Sequence, residues 1–160
     1  CLHMQLICSI VRTMNEAAYN TLLYLLRAGA AVEERMNGSL SAVHGLSLQE
    51  TLMLMFLDTE PRQRLSRVDL ARRMHVSAST ITRQLVPLEK RGIVTREQDE
   101  RDARLTYAVL TEAGRELIGD ARQSLKSAST QFFRDRWRDS EVETLAELLG
   151  RLTVNLPGSL

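Results

Sequence analysis

Residues 66–111 read SRVDLARRMHVSASTITRQLVPLEKRGIVTREQDERDARLTYAVLT, two short helical patterns followed by an alternating one. Ser66, with Asp69 three residues on, forms a variant of the capping box and opens the first helix. That helix directs Val68, Leu70, Ala71 and Met74 toward a core. His75-Val76 is a tight turn, and Ser77 is the N-cap of the next helix. There Ile81, Leu85 and Leu88 recur at i, i+4 and i+7 and form the buried stripe. Gly92 ends the helix. Pro87 lies inside it, cannot donate to the Arg83 carbonyl, and predicts a kink beyond the first turns.

The outward face of the second helix carries Ser79, Thr82, Arg83 and Val86, with Ala78 and Thr80 near its first turn. Short hydroxyl side chains permit close approach to a major groove, and Arg bonds a phosphate or a guanine edge. After Gly92 the period becomes two. Residues 93–96 and 105–110 read as antiparallel strands around a polar tip at 97–104. A helix-turn-helix followed by a charged hairpin is a winged helix, whose tip probes the minor groove beside the recognition helix. The DNA-reading candidates on these grounds are Ser77, Ser79, Thr80, Thr82 and Arg83, with Arg101 at the tip.

Three pieces recur in a known order: Leu88-Glu89-Lys90-Arg91-Gly92, Asp102-Ala103-Arg104 and Leu110-Thr111-Glu112-Ala113-Gly114. Together they resemble the MarR family of bacterial transcription regulators, and similarity in the flanking helices extends over most of the chain. The resemblance implies that Asp102 orients Arg104 and that Arg104 enters the minor groove. It also implies a homodimer bound to double-stranded DNA, with repression as the default outcome. A small phenolic or lipophilic effector, held in a cleft between the dimer and DNA-binding lobes, would shift the population of DNA-competent states. The residues expected to line such a cleft are Met14, Tyr19, Met36, His44, Met53 and Met55, although methionines at helical spacing are more often plain core.

The 160 residues are 44% hydrophobic and 26% charged, enough to fill one core, and only 4% aromatic, which predicts an aliphatic, helical one. The net charge of +1 hides an asymmetry: residues 62–104 hold eleven Lys or Arg against six Asp or Glu, a balance of +5. The remainder holds ten against fourteen, a balance of −4. A basic segment on an acidic body suits local phosphate binding. No run of eighteen apolar residues and no secretory pattern is present, so the expected location is the cytoplasm.

Outside residues 66–111 the pattern is helical. A long helix is expected from residue 12 to Asn37-Gly38, apolar on several sides, followed by a loop at 39–45. Ser47 with Glu50 caps a core helix, Leu65 is placed as a single-bridge strand, and Thr111 caps a helix to about Arg134. Ser140 with Glu143 caps the last helix, striped with Val142, Leu145, Leu148, Leu149 and Leu152. The expected fold is mostly α with a β wing (α+β): a winged helix-turn-helix with N- and C-terminal dimerisation helices. Residues 1–46 form the N-terminal dimerisation region, 47–111 the DNA-binding lobe and 112–160 the C-terminal helices. The apolar terminal helices call for a second copy to cover them.

Two cysteines, Cys1 and Cys8, make neither a disulfide framework nor a zinc spacing, so no metal or cofactor is expected. Enzyme chemistry is not expected either, because no phosphate loop or nucleophile–base set is present. One alternative is redox sensing through Cys8, since some branches of the family use a cysteine near the first helix. That requires a lowered thiol pKa, and Leu6, Ile7 and Ile10 around Cys8 favour a buried, inert thiol. The other alternative, a winged helix that binds only protein, is at odds with Arg72, Arg73, Arg83, Arg101 and Arg104.

Overall fold

The computed structural model describes residues 2–99, 102 and 105–153, with side chains from residue 15 onward. In chain order the elements are α1 (Leu2–His44), α2 (Leu48–Thr59), β1 (Arg64–Ser66), α3 (Arg67–Arg73) and α4 (Ala78–Lys90). They are followed by β2 (Val94–Gln98), β3 (Thr106–Leu110), α5 (Glu112–Arg134) and α6 (Asp139–Thr153). This is the expected winged helix-turn-helix, with long helices at both ends.

Contrary to expectation, α1 does not stop at Asn37-Gly38 but runs on to His44. Met36 and Leu40, one turn apart, are both buried and hold this part of the helix against the core. Asn37 is used differently from a helix terminator: its Oδ1 accepts the Leu48 N–H at 2.6 Å and so serves the first turn of α2. The left-handed residue that ends α1 is Gly45, at φ 62°.

Ser47 and Glu50 form the expected capping box on α2, with the Glu50 N–H donating to Ser47 Oγ at 3.1 Å. Met53, Leu54 and Leu57 of α2 are fully buried, together with Leu46, Leu70, Ile81, Leu88, Leu110 and Ile118. Core residues thus come from α2, the helix-turn-helix, the sheet and α5, joined by Leu40 of α1. Val68, expected inside, is 59% exposed; on α3 only Leu70 and Ala71 are buried. A helix of seven residues is too short to bury a wide stripe.

The sheet order is β1-β3-β2, all antiparallel. β1 pairs over three residues, Arg64 with Val109 through Ser66 with Tyr107, instead of making a single bridge. β2 extends to Gln98, two residues beyond the expected strand, because Glu97 and Gln98 still pair with Tyr107 and Thr106. Leu65, Val94, Ala108 and Leu110 line the face turned to the core.

Thr111 caps α5 as expected, its side chain accepting the Gly114 N–H at 3.0 Å. The cap of α6 is shifted from the expected Ser140–Glu143 pair. The helix starts at Asp139, and Glu141 reaches back to the Arg138 N–H at 2.9 Å. No residue of α6 is buried, and Leu148, Leu149 and Leu152 lie open. Along α1, Tyr19, Leu22, Leu23, Tyr24, Leu25 and Leu26 are equally exposed.

Candidate nucleic-acid interface

The helix-turn-helix is closed by backbone chemistry at both ends of α4. Before it, His75 adopts φ 53° and the Val76 N–H returns to the Ala71 carbonyl at 3.0 Å, the Schellman pattern with a non-glycine residue in the left-handed position. After it, Gly92 at φ 71° plays the same part, with the Ile93 N–H on the Leu88 carbonyl at 3.0 Å. Ile81, Leu85 and Leu88 are buried, as their spacing requires, so the rotation of α4 about its axis is fixed. The helix continues through Pro87 to Lys90.

That rotation turns the hydroxyl row outward. Ser77 Oγ accepts the Thr80 N–H at 3.2 Å and lies 2.8 Å from Ser79 Oγ and 2.9 Å from Thr80 Oγ1. Three hydroxyls thus gather at the N-terminus of α4, where the helix dipole favours an anion. Arg83 is exposed on the same face, its Nη2 3.5 Å from Thr80 Oγ1. Thr82 is half-buried and committed within the fold: it donates to the Ala78 carbonyl at 3.0 Å and accepts from Arg67 Nη1 at 3.4 Å. Arg67 was not singled out from the sequence; it is the guanidinium that ties the start of α3 to this face.

Several arginines of the basic segment are held by carboxylates. Arg73 pairs with Glu60 at 2.6 Å, Arg96 with Glu89 at 2.6 Å and Arg64 with Glu97 at 3.4 Å. The Glu89 side-chain hydrogen bond, reinforced by its charge, holds Arg96 above its already high pKa. Arg73, expected on the basic face, is therefore a bond between α3 and the end of α2. Arg67 and Arg83 are left beside α4 with no carboxylate partner among the described residues.

At the wing the Asp99 N–H donates to the Leu105 carbonyl at 3.0 Å, and the Leu105 N–H to the Asp102 carbonyl at 2.9 Å. The Asp102 N–H donates to Asp99 Oδ1 at 3.2 Å, which closes the turn. Arg101 and Arg104 lie outside the described residues, as do the side chains of Cys8 and Met14.

Against known proteins, residues 46–106 match the model of the MarR family. The HTH-type transcriptional repressor YetL of Bacillus subtilis is 34% identical over 116 residues, covering 71% of this chain and 70% of YetL. The chain belongs to the MarR family.

A second Bacillus subtilis relative, the HTH-type transcriptional regulator YdgJ, is 30% identical over 95 residues, which span 58% of this chain but only 56% of YdgJ. Among solved structures, the MarR family transcriptional regulator Sco3205 from Streptomyces coelicolor, in complex with DNA, superposes with a TM-score of 0.75 at 25% identity. The match covers 88% of this chain and 93% of Sco3205. CouR from Rhodococcus jostii, bound to p-coumaroyl-CoA, superposes with a TM-score of 0.68 at 26% identity, covering 85% and 92%. YetL, YdgJ and Sco3205 are all regulators of transcription.

The fold gives the MarR-like signatures a physical reading. In Leu88-Glu89-Lys90-Arg91-Gly92, Leu88 is core, Glu89 holds Arg96 and Gly92 turns the chain. Arg91 donates to the Gly45 carbonyl at 2.8 Å and the His44 carbonyl at 3.2 Å. In Leu110-Thr111-Glu112-Ala113-Gly114, a Cβ on Gly114 would lie 2.2 Å from the Ile93 carbonyl oxygen, so only glycine fits. Neither Arg91 nor Gly45 was assigned a role from the sequence; the signature itself was the available signal.

Among the candidate effector residues whose side chains are described, Tyr19 and Met36 lie far apart within one chain. Met53 is fully buried and Met36 nearly so, while Met55 packs half-buried against the core. His44 Nε2 lies 2.8 Å from Ser124 Oγ, joining α1 to α5. Tyr19 is 61% exposed. It precedes Met36 by seventeen residues on one helix, about 25 Å at the α-helical rise. No single helix among the described residues is long and apolar enough to cross a membrane, and no cluster among them could hold a metal ion.

Proposed function

We propose that this chain is a cytoplasmic transcriptional repressor that binds an inverted-repeat operator in double-stranded DNA as a homodimer. The observation that carries the reading is the outward face of α4. Ser77, Ser79, Thr80 and Arg83 are presented together by a helix whose opposite side is locked into the core. Residues 47–111 read the DNA, with Arg104, oriented by Asp102, entering the minor groove from the wing and Arg101 at the tip as a second contact. Residues 1–46 and 112–160 dimerise. The open apolar faces of α1 and α6 support a second copy as their cover. Two-fold symmetry then places the half-sites about one helical turn apart. A small phenolic or lipophilic effector releases the operator, a reading supported by p-coumaroyl-CoA in the related CouR.

The test is to recover and sequence genomic fragments bound at near-physiological salt, where non-specific phosphate contacts are weakened. A few enriched fragments sharing an inverted repeat support the reading. Uniform recovery, in the absence of any added effector, counts against it.

A further inference from the structure

A cavity of about 320 Å³ lies away from the hydroxyl face of α4, between the end of α2, β1 and the start of α3. Its lining includes three guanidiniums, Arg62, Arg64 and Arg73, against two carboxylates, Glu60 and Asp69, and one ring, Tyr107. The carboxylates are already engaged: Glu60 accepts from Arg73 at 2.6 Å, and Asp69 accepts the Ser66 hydroxyl at 2.6 Å. Arg64 stacks over the Tyr107 ring, 4.8 Å from its centroid, and meets only the half-exposed Glu97, at 3.4 Å. Arg62 has no hydrogen-bond or ion-pair partner among the described residues.

The backbone between these two arginines is held at some conformational cost. Gln63, between them, adopts φ 48°, a left-handed conformation that non-glycine residues rarely take. It is fixed there by its N–H on the Glu60 carbonyl at 2.7 Å and its Oε1 on Arg115 at 3.0 Å. The cavity is of ligand size, yet the buried Leu65 is its sole aliphatic lining residue, which disfavours a lipophilic occupant.

We infer that this cavity binds a small hydrophilic oxyanion, a phosphate ester or a di- or tricarboxylate, bridged by Arg62 and Arg64. Guanidinium forks match the planar edge of either group. The site is separate from the α4 face, and its occupant links the end of α2 to the wing through β1. It stands whether or not the proposed operator binding is correct.

The experiment is titration calorimetry on the full chain in a chloride buffer, with inorganic phosphate in one arm and citrate in the other. Saturable binding is expected in at least one arm, and the stronger arm identifies the phosphoryl or the carboxylate source. Arg62→Gln, which removes a side chain with no partner to lose, is expected to weaken that binding about tenfold or more with an unchanged melting temperature. Arg83→Gln, on the α4 face, is expected to leave it unaltered. Absence of saturable binding in both arms overturns the proposal. Equal binding by Arg62→Gln, or a loss that follows Arg83→Gln instead, overturns it as well.

Discussion

Arg91, the residue that caps α4, spans forty-six positions to donate a 2.8 Å hydrogen bond to the carbonyl of Gly45, the residue that ends α1. Its second amino group reaches the His44 carbonyl at 3.2 Å. One side chain thus satisfies two terminal carbonyls of α1 and joins the long N-terminal helix to the end of the recognition helix. Terminal carbonyls without such a partner must turn to water. Replacing Arg91 by Gln is expected to cost roughly 1–2 kcal/mol, the low end for charged hydrogen bonds because the side chain is exposed. Urea denaturation gives the value; an unchanged midpoint would show that the link carries no stability.

Gly114 provides a steric test of the sheet–helix junction. An alanine Cβ would stand 2.2 Å from the Ile93 carbonyl oxygen and 2.9 Å from Leu110 Cδ1, and backbone on one side leaves little to yield. Gly114→Ala is expected to lose about 2 kcal/mol or more, as overpacking does. The same change at Gly119, where nothing beyond the local helix backbone lies within 4 Å, is expected to be neutral or stabilising because alanine favours the helix. Thermal melts of the two variants decide it, and similar shifts in both would contradict the assignment.

The legible and illegible parts of this chain differ in a consistent way. Ile81, Leu85 and Leu88 were readable because one buried stripe on one helix is a local pattern, and the hydroxyl face followed from it. Asn37-Gly38 misled because the bond that matters, from the Leu48 N–H to Asn37 Oδ1, joins residues eleven apart. The charge balance of residues 62–104 indicated a basic surface, but pairing by Glu60, Glu89 and Glu97 depends on tertiary neighbours. Met53 and Met36 have the same spacing signal whether they face a cleft or a core, and packing places both inside.

The start of α6 carries a pH dependence. Glu141 is held below its ordinary pKa of 4.5, first by the Arg138 side-chain hydrogen bond and then by the Arg138 N–H. A carboxyl depressed on folding contributes stability above its unfolded pKa and loses it as pH falls through the lowered folded value. The stability difference between the native chain and Glu141→Gln is therefore expected to be constant near neutrality and to vanish in acid, below the carboxylate range. Denaturation of both proteins across that range is the check; a gap that widens in acid would contradict it.

Tyr19, Leu22 and Leu26 fall on one side of α1 at i, i+3 and i+7, each more than half exposed in the single chain. If a second copy covers them, sedimentation equilibrium gives twice the chain mass of 18.1 kDa. Leu22→Lys with Leu26→Lys is expected to shift the protein to monomer by placing charges in an apolar interface. A native chain that sediments as a monomer at micromolar concentration would remove the dimer from the account.

The most direct measurement of the central claim is equilibrium binding of Arg83→Ala to the inverted repeat recovered from genomic DNA, by fluorescence anisotropy at fixed salt. Arg83 is exposed and makes one marginal contact within the chain, so its loss leaves the fold intact. The account predicts an affinity loss of about 1–3 kcal/mol, roughly fivefold to 150-fold, with an unchanged melting temperature. Undiminished affinity would mean that the outward face of α4 does not read DNA.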